Sequence, residues 1–185
     1  MISAGTRGAV TLPAGKAEAL QMLEAEPDMV AINATTQWLP PVIAQWLISS
    51  EWGPKDMEGR PLMLIPVPTL SEAEKTQLTQ ASWMLGQAMK PSTGKPELLV
   101  EAIQVAMSEL RFRSKSEEQH TLNLKVWANA CQKYPLWAVQ KAADWWSKGA
   151  RSGDELGHFL TDVRLAIGHN VLKRQALMQR LLSQS

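Results

Sequence analysis

Apolar residues recur every three or four positions over much of this chain, and the breaks in that rhythm divide it into segments. The clearest run opens at Ser71, where Ser71-Glu72-Ala73-Glu74 has the serine and the acid three residues on that make a capping box. Its apolar stripe is Leu78, Ala81, Leu85 and Met89, and Lys90-Pro91 closes it. Pro96 opens a second helix striped by Leu99, Ala102, Ile103, Ala106, Met107 and Leu110, ending in the charged turn Arg111–Glu118. A third is expected from about Glu118 to Lys133, with Leu122, Val126, Ala130 and Cys131 inward. Tyr134-Pro135 stops that helix and starts the next, because proline at a first helical position lacks only an N–H that would be unpaired anyway. There Trp137, Ala138, Lys141, Ala142 and Trp145 share one face, which marks Trp145 as core and leaves Trp146 the more exposed indole. Gly149 to Gly153 break the pattern, and Asp154 opens one long last helix with Leu156, Leu160, Val163, Ile167, Val171 and Met178 on one side.

The first third is less regular. Residues 1–16 are rich in small residues and read as an arm with a short extended piece at Ala9–Leu12. A short helix is expected over Ala17–Glu26, ended by Pro27, and another after Pro40-Pro41 with Val42, Ile43, Trp46 and Leu47 at helical spacing. Residues 53–69 hold four prolines and two glycines, with an extended apolar run at Leu62–Val67, and form the expected domain boundary. The pattern therefore predicts an all-α protein: an antiparallel bundle of about five helices over 70–185, preceded by an irregular, partly helical region over 1–69.

Composition changes this picture little. The 185 residues are 45% hydrophobic and 20% charged, which excludes wholesale disorder. Eight tryptophans against two phenylalanines and one tyrosine fit both cores and binding hot spots. The net charge of +1 hides an asymmetry. Residues 1–102 carry 7 Lys/Arg against 11 Asp/Glu, and residues 103–185 carry 12 against 7. The basic half admits contact with nucleic acid or an acidic partner. A lone cysteine, no apolar run near the roughly 18–20 residues of a membrane span and no signal-peptide build lead to the expectation of a soluble cytoplasmic protein without membrane contact.

Catalytic patterns are not visible. There is no GxxxxGK[ST], CxxC or HExxH, and His158 and His169 stand about 16 Å apart along one expected helix, too far to share a metal. His120 is isolated, and Cys131 reads as a buried small hydrophobe. The expectation is a protein that is not an enzyme and uses no metal or cofactor. Two candidate surfaces remain. One comprises Trp137, Trp146, Phe159 and Arg164 as partner-binding residues. The other is a basic edge of Arg151, Lys173, Arg174 and Arg180 for nucleic acid, although a single-strand site would interleave aromatics with its cations and the last helix has none beyond Phe159.

The residues Tyr134, Pro135, Trp137, Ala138 and Val139, followed by Phe159, Thr161, Asp162, Val163 and Arg164 and a long helix, resemble small helical proteins of phage and prophage replication modules. Those proteins carry a YP-x-W-A-[VL] helix and an F-x-P-[ST]-x-x-[DE]-[LIV]-R turn. This chain has Leu160 where the pattern has proline, and a shorter gap between the phenylalanine and the acid–Val–Arg. The resemblance implies a non-ATPase helicase loader or helicase-binding regulator, hence a protein partner such as a replicative helicase, possible single-stranded DNA and a possible homo-oligomer. Two other readings stand beside it: a sequence-tolerant DNA-binding regulator using the basic last helix, and a phage structural component or inhibitor of a host defence complex.

Overall fold

A computed structural model describes residues 11–52, 66–108, 116–150, 153 and 155–184. Among them lie nine helices and no strand, so the protein is all-α: α1 (Lys16–Ala25), α2 (Pro27–Ala34), α3 (Pro41–Trp52), α4 (Glu72–Ala88), α5 (Pro96–Ser108), α6 (Glu117–Cys131), α7 (Leu136–Ser147), α8 (Leu156–Ile167) and α9 (His169–Gln184). The expected extended pieces fall partly outside the described residues. Thr11, Leu12, Pro66 and Val67 carry no regular structure.

The chain forms two compact units, Met1–Gln87 with Asn170–Ser185, and Ala88–His169. Neither limit falls at the boundary expected near residue 69. Side chains of α4 and α9 bind the backbone that follows α2: Gln77 Nε2 donates to the Trp38 carbonyl at 3.0 Å and Arg174 Nη1 to the Thr35 carbonyl at 3.0 Å. The N-terminal helices are thus built into a core with α4 and α9.

In the first unit, α1 ends before Pro27 as expected, but the proline starts α2 instead of a loop. Thr35 closes α2 by donating its hydroxyl to the Ala31 and Ile32 carbonyls. Val30, Ala31, Ala34, Trp38, Ile43, Leu47, Leu78, Ala81, Met84, Leu85, Met178 and Leu181 are buried. The capping box at the head of α4 is formed: Ser71 N–H donates to Glu74 Oε2 at 2.8 Å and Glu74 N–H to Ser71 Oγ at 3.3 Å. The serine's two hydrogen bonds hold the Glu74 carboxyl below its ordinary range.

In the second unit α7 packs against α5 and α8, and α5 also packs on α6. The α5–α7 contact is the most extensive, and the buried faces carry small residues there: Ala102 and Ala106 on α5, Ala138, Ala142 and Ala143 on α7. Small side chains let two helix backbones come close. Of the residues expected inward on α6, Cys131 is buried, Ala130 is half-buried, and Leu122 and Val126 face outward. Leu124, Trp127, Ala128 and Cys131 are buried, whereas Leu122 is 61% and Val126 48% exposed. Residues 124, 127, 128 and 131 keep the i, i+3, i+4, i+7 spacing and include the large indole, so they bury more apolar area than the 122–126–130 stripe.

Two glycines with positive φ end helices. After α7, Gly149 (φ 76) donates its N–H to Trp146 and Ala150 donates to Trp145, the pair of bonds that defines a Schellman motif. Gly168 (φ 94) breaks the single long helix expected after Asp154 into α8 and α9. A side chain at Gly149 would meet open space, so only its backbone conformation demands glycine. Gly149→Ala is therefore expected to cost about 1 kcal/mol in denaturant unfolding, with Gly149→Asn milder because asparagine tolerates the left-handed region.

Candidate interaction site

The turn between α6 and α7 gathers the residues singled out by sequence. Tyr134 N–H donates to the Cys131 carbonyl at 2.9 Å as α6 unwinds, and Pro135 takes the N-cap of α7 in extended conformation. The turn is clasped from the other side by the α4–α5 connection. Ser92, itself buried, donates its N–H to the Gln132 and Tyr134 carbonyls at 3.1 Å each and its hydroxyl to the Tyr134 carbonyl at 2.9 Å. In the first turn of α7, Trp137 Nε1 donates to the Ala88 carbonyl at 2.7 Å, satisfying an orphan acceptor at the end of α4. These bonds set the N-terminal ends of α5 and α7 side by side.

Behind the turn lies an aromatic trio. Trp127 and Trp146 meet edge to face at 5.8 Å between centroids, Trp146 and Phe159 edge to face at 5.1 Å, and Trp127 stacks on Phe159 at 5.5 Å. Trp146 Nε1 donates to Asp162 Oδ2 at 2.7 Å, and the Asp162 side chain is almost wholly enclosed. A charged acceptor taken from water needs such donors, and the indole brings one without exposing its ring. Trp146 is thus core, not the exposed indole expected of it, and Trp145 is only half-buried. The reason lies in the α7 stripe. Val139, Ala142, Ala143 and Trp146 are uniformly apolar, while the face of Trp137 and Trp145 also holds Lys141.

The candidate residues consequently separate. Phe159 and Trp146 are buried and build the scaffold; Trp137 is half-buried; Arg164 is exposed on α8, its Nε donating to the Tyr134 phenol oxygen at 3.2 Å. Leu165 beside it is 58% exposed, which gives α8 an outward face of His158, Thr161, Arg164 and Leu165. Of the basic set, Arg151 lies outside the described residues, Lys173 and Arg180 are exposed on α9, and Arg174 spends a guanidinium N–H on Thr35. Lys173, Arg174 and Arg180 belong to the first unit and Arg164 to the second. Sequence reasoning missed Lys90, Lys95 and Lys133, which the Ser92–Tyr134 clasp collects at one turn. No local pattern announces that clasp, since Ser92 lies 42 residues from Tyr134.

Three of the described tryptophans lie in the interior. Trp38, Trp127 and Trp146 are buried and Trp46 is half-buried with its N–H unpartnered, while Trp83 on α4 is exposed. Cys131 is fully enclosed, and loss of hydration pushes its thiol up to about 12. Among the described residues no group of three or more His, Cys, Asp or Glu is placed to hold a metal ion, and no helix is long and apolar enough to cross a membrane.

Two outcomes follow from this geometry. Trp146→Phe keeps a ring but withdraws a donor from the buried Asp162, and should lower unfolding free energy by about 1–3 kcal/mol, read by chemical denaturation. Because the thiol stays protonated in the fold, Cys131 should react with iodoacetamide at pH 8 at least about a hundredfold more slowly in the native protein than in urea. The chain matches no protein family, no curated protein and no solved structure.

Proposed function

We propose that this chain is a non-catalytic adaptor of a phage or prophage replication module, acting by binding another protein, with a replicative helicase as the partner its motif implies. The observation that carries the reading is the division of labour within that motif. Pro135, Ala138, Val139, Phe159, Asp162 and Val163 are buried and account for themselves by packing. Arg164 is exposed at the edge of the same network, next to the exposed Leu165. Arginine is one of the residue types that binding hot spots favour, and the exposed Leu165 beside it adds apolar area that a partner could cover. The single thiol, buried and held protonated, supports binding over nucleophilic chemistry.

The test is capture of the partner by the tagged full chain from its bacterial host, compared across surface variants. Leu165→Asp and Arg164→Ala should each reduce helicase recovery at least tenfold while leaving the helical circular dichroism unchanged. Undiminished recovery in both variants, or recovery of no replication protein by the unaltered chain, sinks this reading. Trp146→Ala is unsuitable as an interface probe, because it removes a core side chain.

A further inference from the structure

Four cations from three separate stretches are carried by the α6–α7 turn and the segments bonded to it. Lys133 places Nζ 5.4 Å from the centroid of the Tyr134 ring, and Arg164 Nε bonds the same residue's phenol oxygen at 3.2 Å. Lys90 and Lys95 flank Ser92, whose backbone and hydroxyl grip the Tyr134 carbonyl. All four are exposed, and none is in an ion pair with a described residue. Glu97, in the first turn of α5, is the acid nearest to Lys95 in sequence and leaves the group strongly positive.

Two further features sharpen what such a surface would take. Tyr134 and Trp137 stand among these cations and are only half-buried. The connection between Lys90 and Lys95 is Pro-Ser-Thr-Gly, with Thr93 and Gly94 exposed and open space around Gly94, so nothing bulky blocks approach to the backbone. The N-terminus of α7 has no side-chain cap, which adds its partial positive charge to the same turn.

We infer that this turn is a binding surface for single-stranded nucleic acid. Phosphates would pair with Lys90, Lys95, Lys133 and Arg164, and bases would stack on the half-buried rings of Tyr134 and Trp137. Cations interleaved with aromatics are what distinguish a single-strand site from a merely basic face, because every base has a π-face whatever its identity. An acidic peptide would satisfy the cations but leave the aromatics without a role. The inference does not depend on the adaptor reading. It also moves the nucleic-acid contact away from α9, where Lys173 and Arg180 stand without a neighbouring aromatic on their helix.

The test is fluorescence anisotropy of the full chain with a labelled thymidine 20-mer across a salt series. Binding should weaken as salt rises, with a log–log slope of about −3, since each phosphate neutralised on a single strand contributes roughly −0.7. Lys95→Glu combined with Lys133→Glu should cost at least tenfold in affinity, and Lys173→Glu with Arg180→Glu less than twofold. An abasic 20-mer of equal charge should bind at least threefold more weakly, which reads the stacking contribution. No binding of the 20-mer at 50 mM salt, indifference to the Lys95/Lys133 reversal, or tighter binding of a poly-glutamate peptide than of the 20-mer would each overturn the inference. Partner capture depends on Leu165, which this double variant leaves untouched, so failure here and failure of the adaptor reading are separable.

Discussion

The second unit turns on a carboxylate held away from water. Asp162 sits almost wholly enclosed on α8, and the Trp146 indole of α7 donates to it at 2.7 Å. Around that bond the rings of Trp127 and Phe159 exclude solvent, which strengthens the hydrogen bond and raises the penalty for losing it. The interaction fixes the rotation of two helices at once. With Trp146 aimed inward, the small residues Ala138, Ala142 and Ala143 face the interior, and α5 can lie close against α7. With Asp162 inward, Phe159, Val163 and Ala166 follow, and Arg164 and Leu165 are turned outward.

Helical character was readable from sequence where stop signals and periodicity agreed. Pro41, Ser71, Pro96 and the Tyr134-Pro135 pair each mark a helix start within a residue or two. What periodicity could not rank was two competing stripes on one helix. On α6 the 122–126–130 stripe and the 124–127–128–131 stripe are both apolar enough to qualify, and the choice follows from Trp127 finding Trp146 and Phe159. On α7 the same ambiguity exchanged Trp145 and Trp146, because a buried carboxylate 16 residues away supplied the partner that an indole N–H needs. Both errors have one physical source: the winning face is selected by a distant residue.

The candidate site was legible in part for the same reason. The Tyr134–Arg164 stretch stood out because its aromatics and proline are locally unusual, and the structure joins Arg164 to Tyr134 and sets Asp162 and Phe159 against Trp146, while Trp137 bonds the Ala88 carbonyl. Lys90, Lys95 and Lys133 could not be grouped beforehand, since their proximity rests on a serine clasp between residues far apart in sequence. The basic character of the C-terminal half was visible; its division between α9 and the α6–α7 turn was not.

The break at Gly168 has a consequence for how the protein is made. The first unit consists of two pieces of chain, Met1–Gln87 and Asn170–Ser185, and the second is one uninterrupted piece between them. As the polypeptide leaves the ribosome, Ala88–His169 can collapse as soon as it emerges, because every strand of its contact network is contiguous. The first unit must wait for α9, which supplies the buried Met178 and Leu181 and the Arg174 bond to the Thr35 carbonyl. Asn170–Ser185, made after the whole of the second unit, therefore closes the first, and a ribosome that stops short of Asn170 leaves the first unit unfinished.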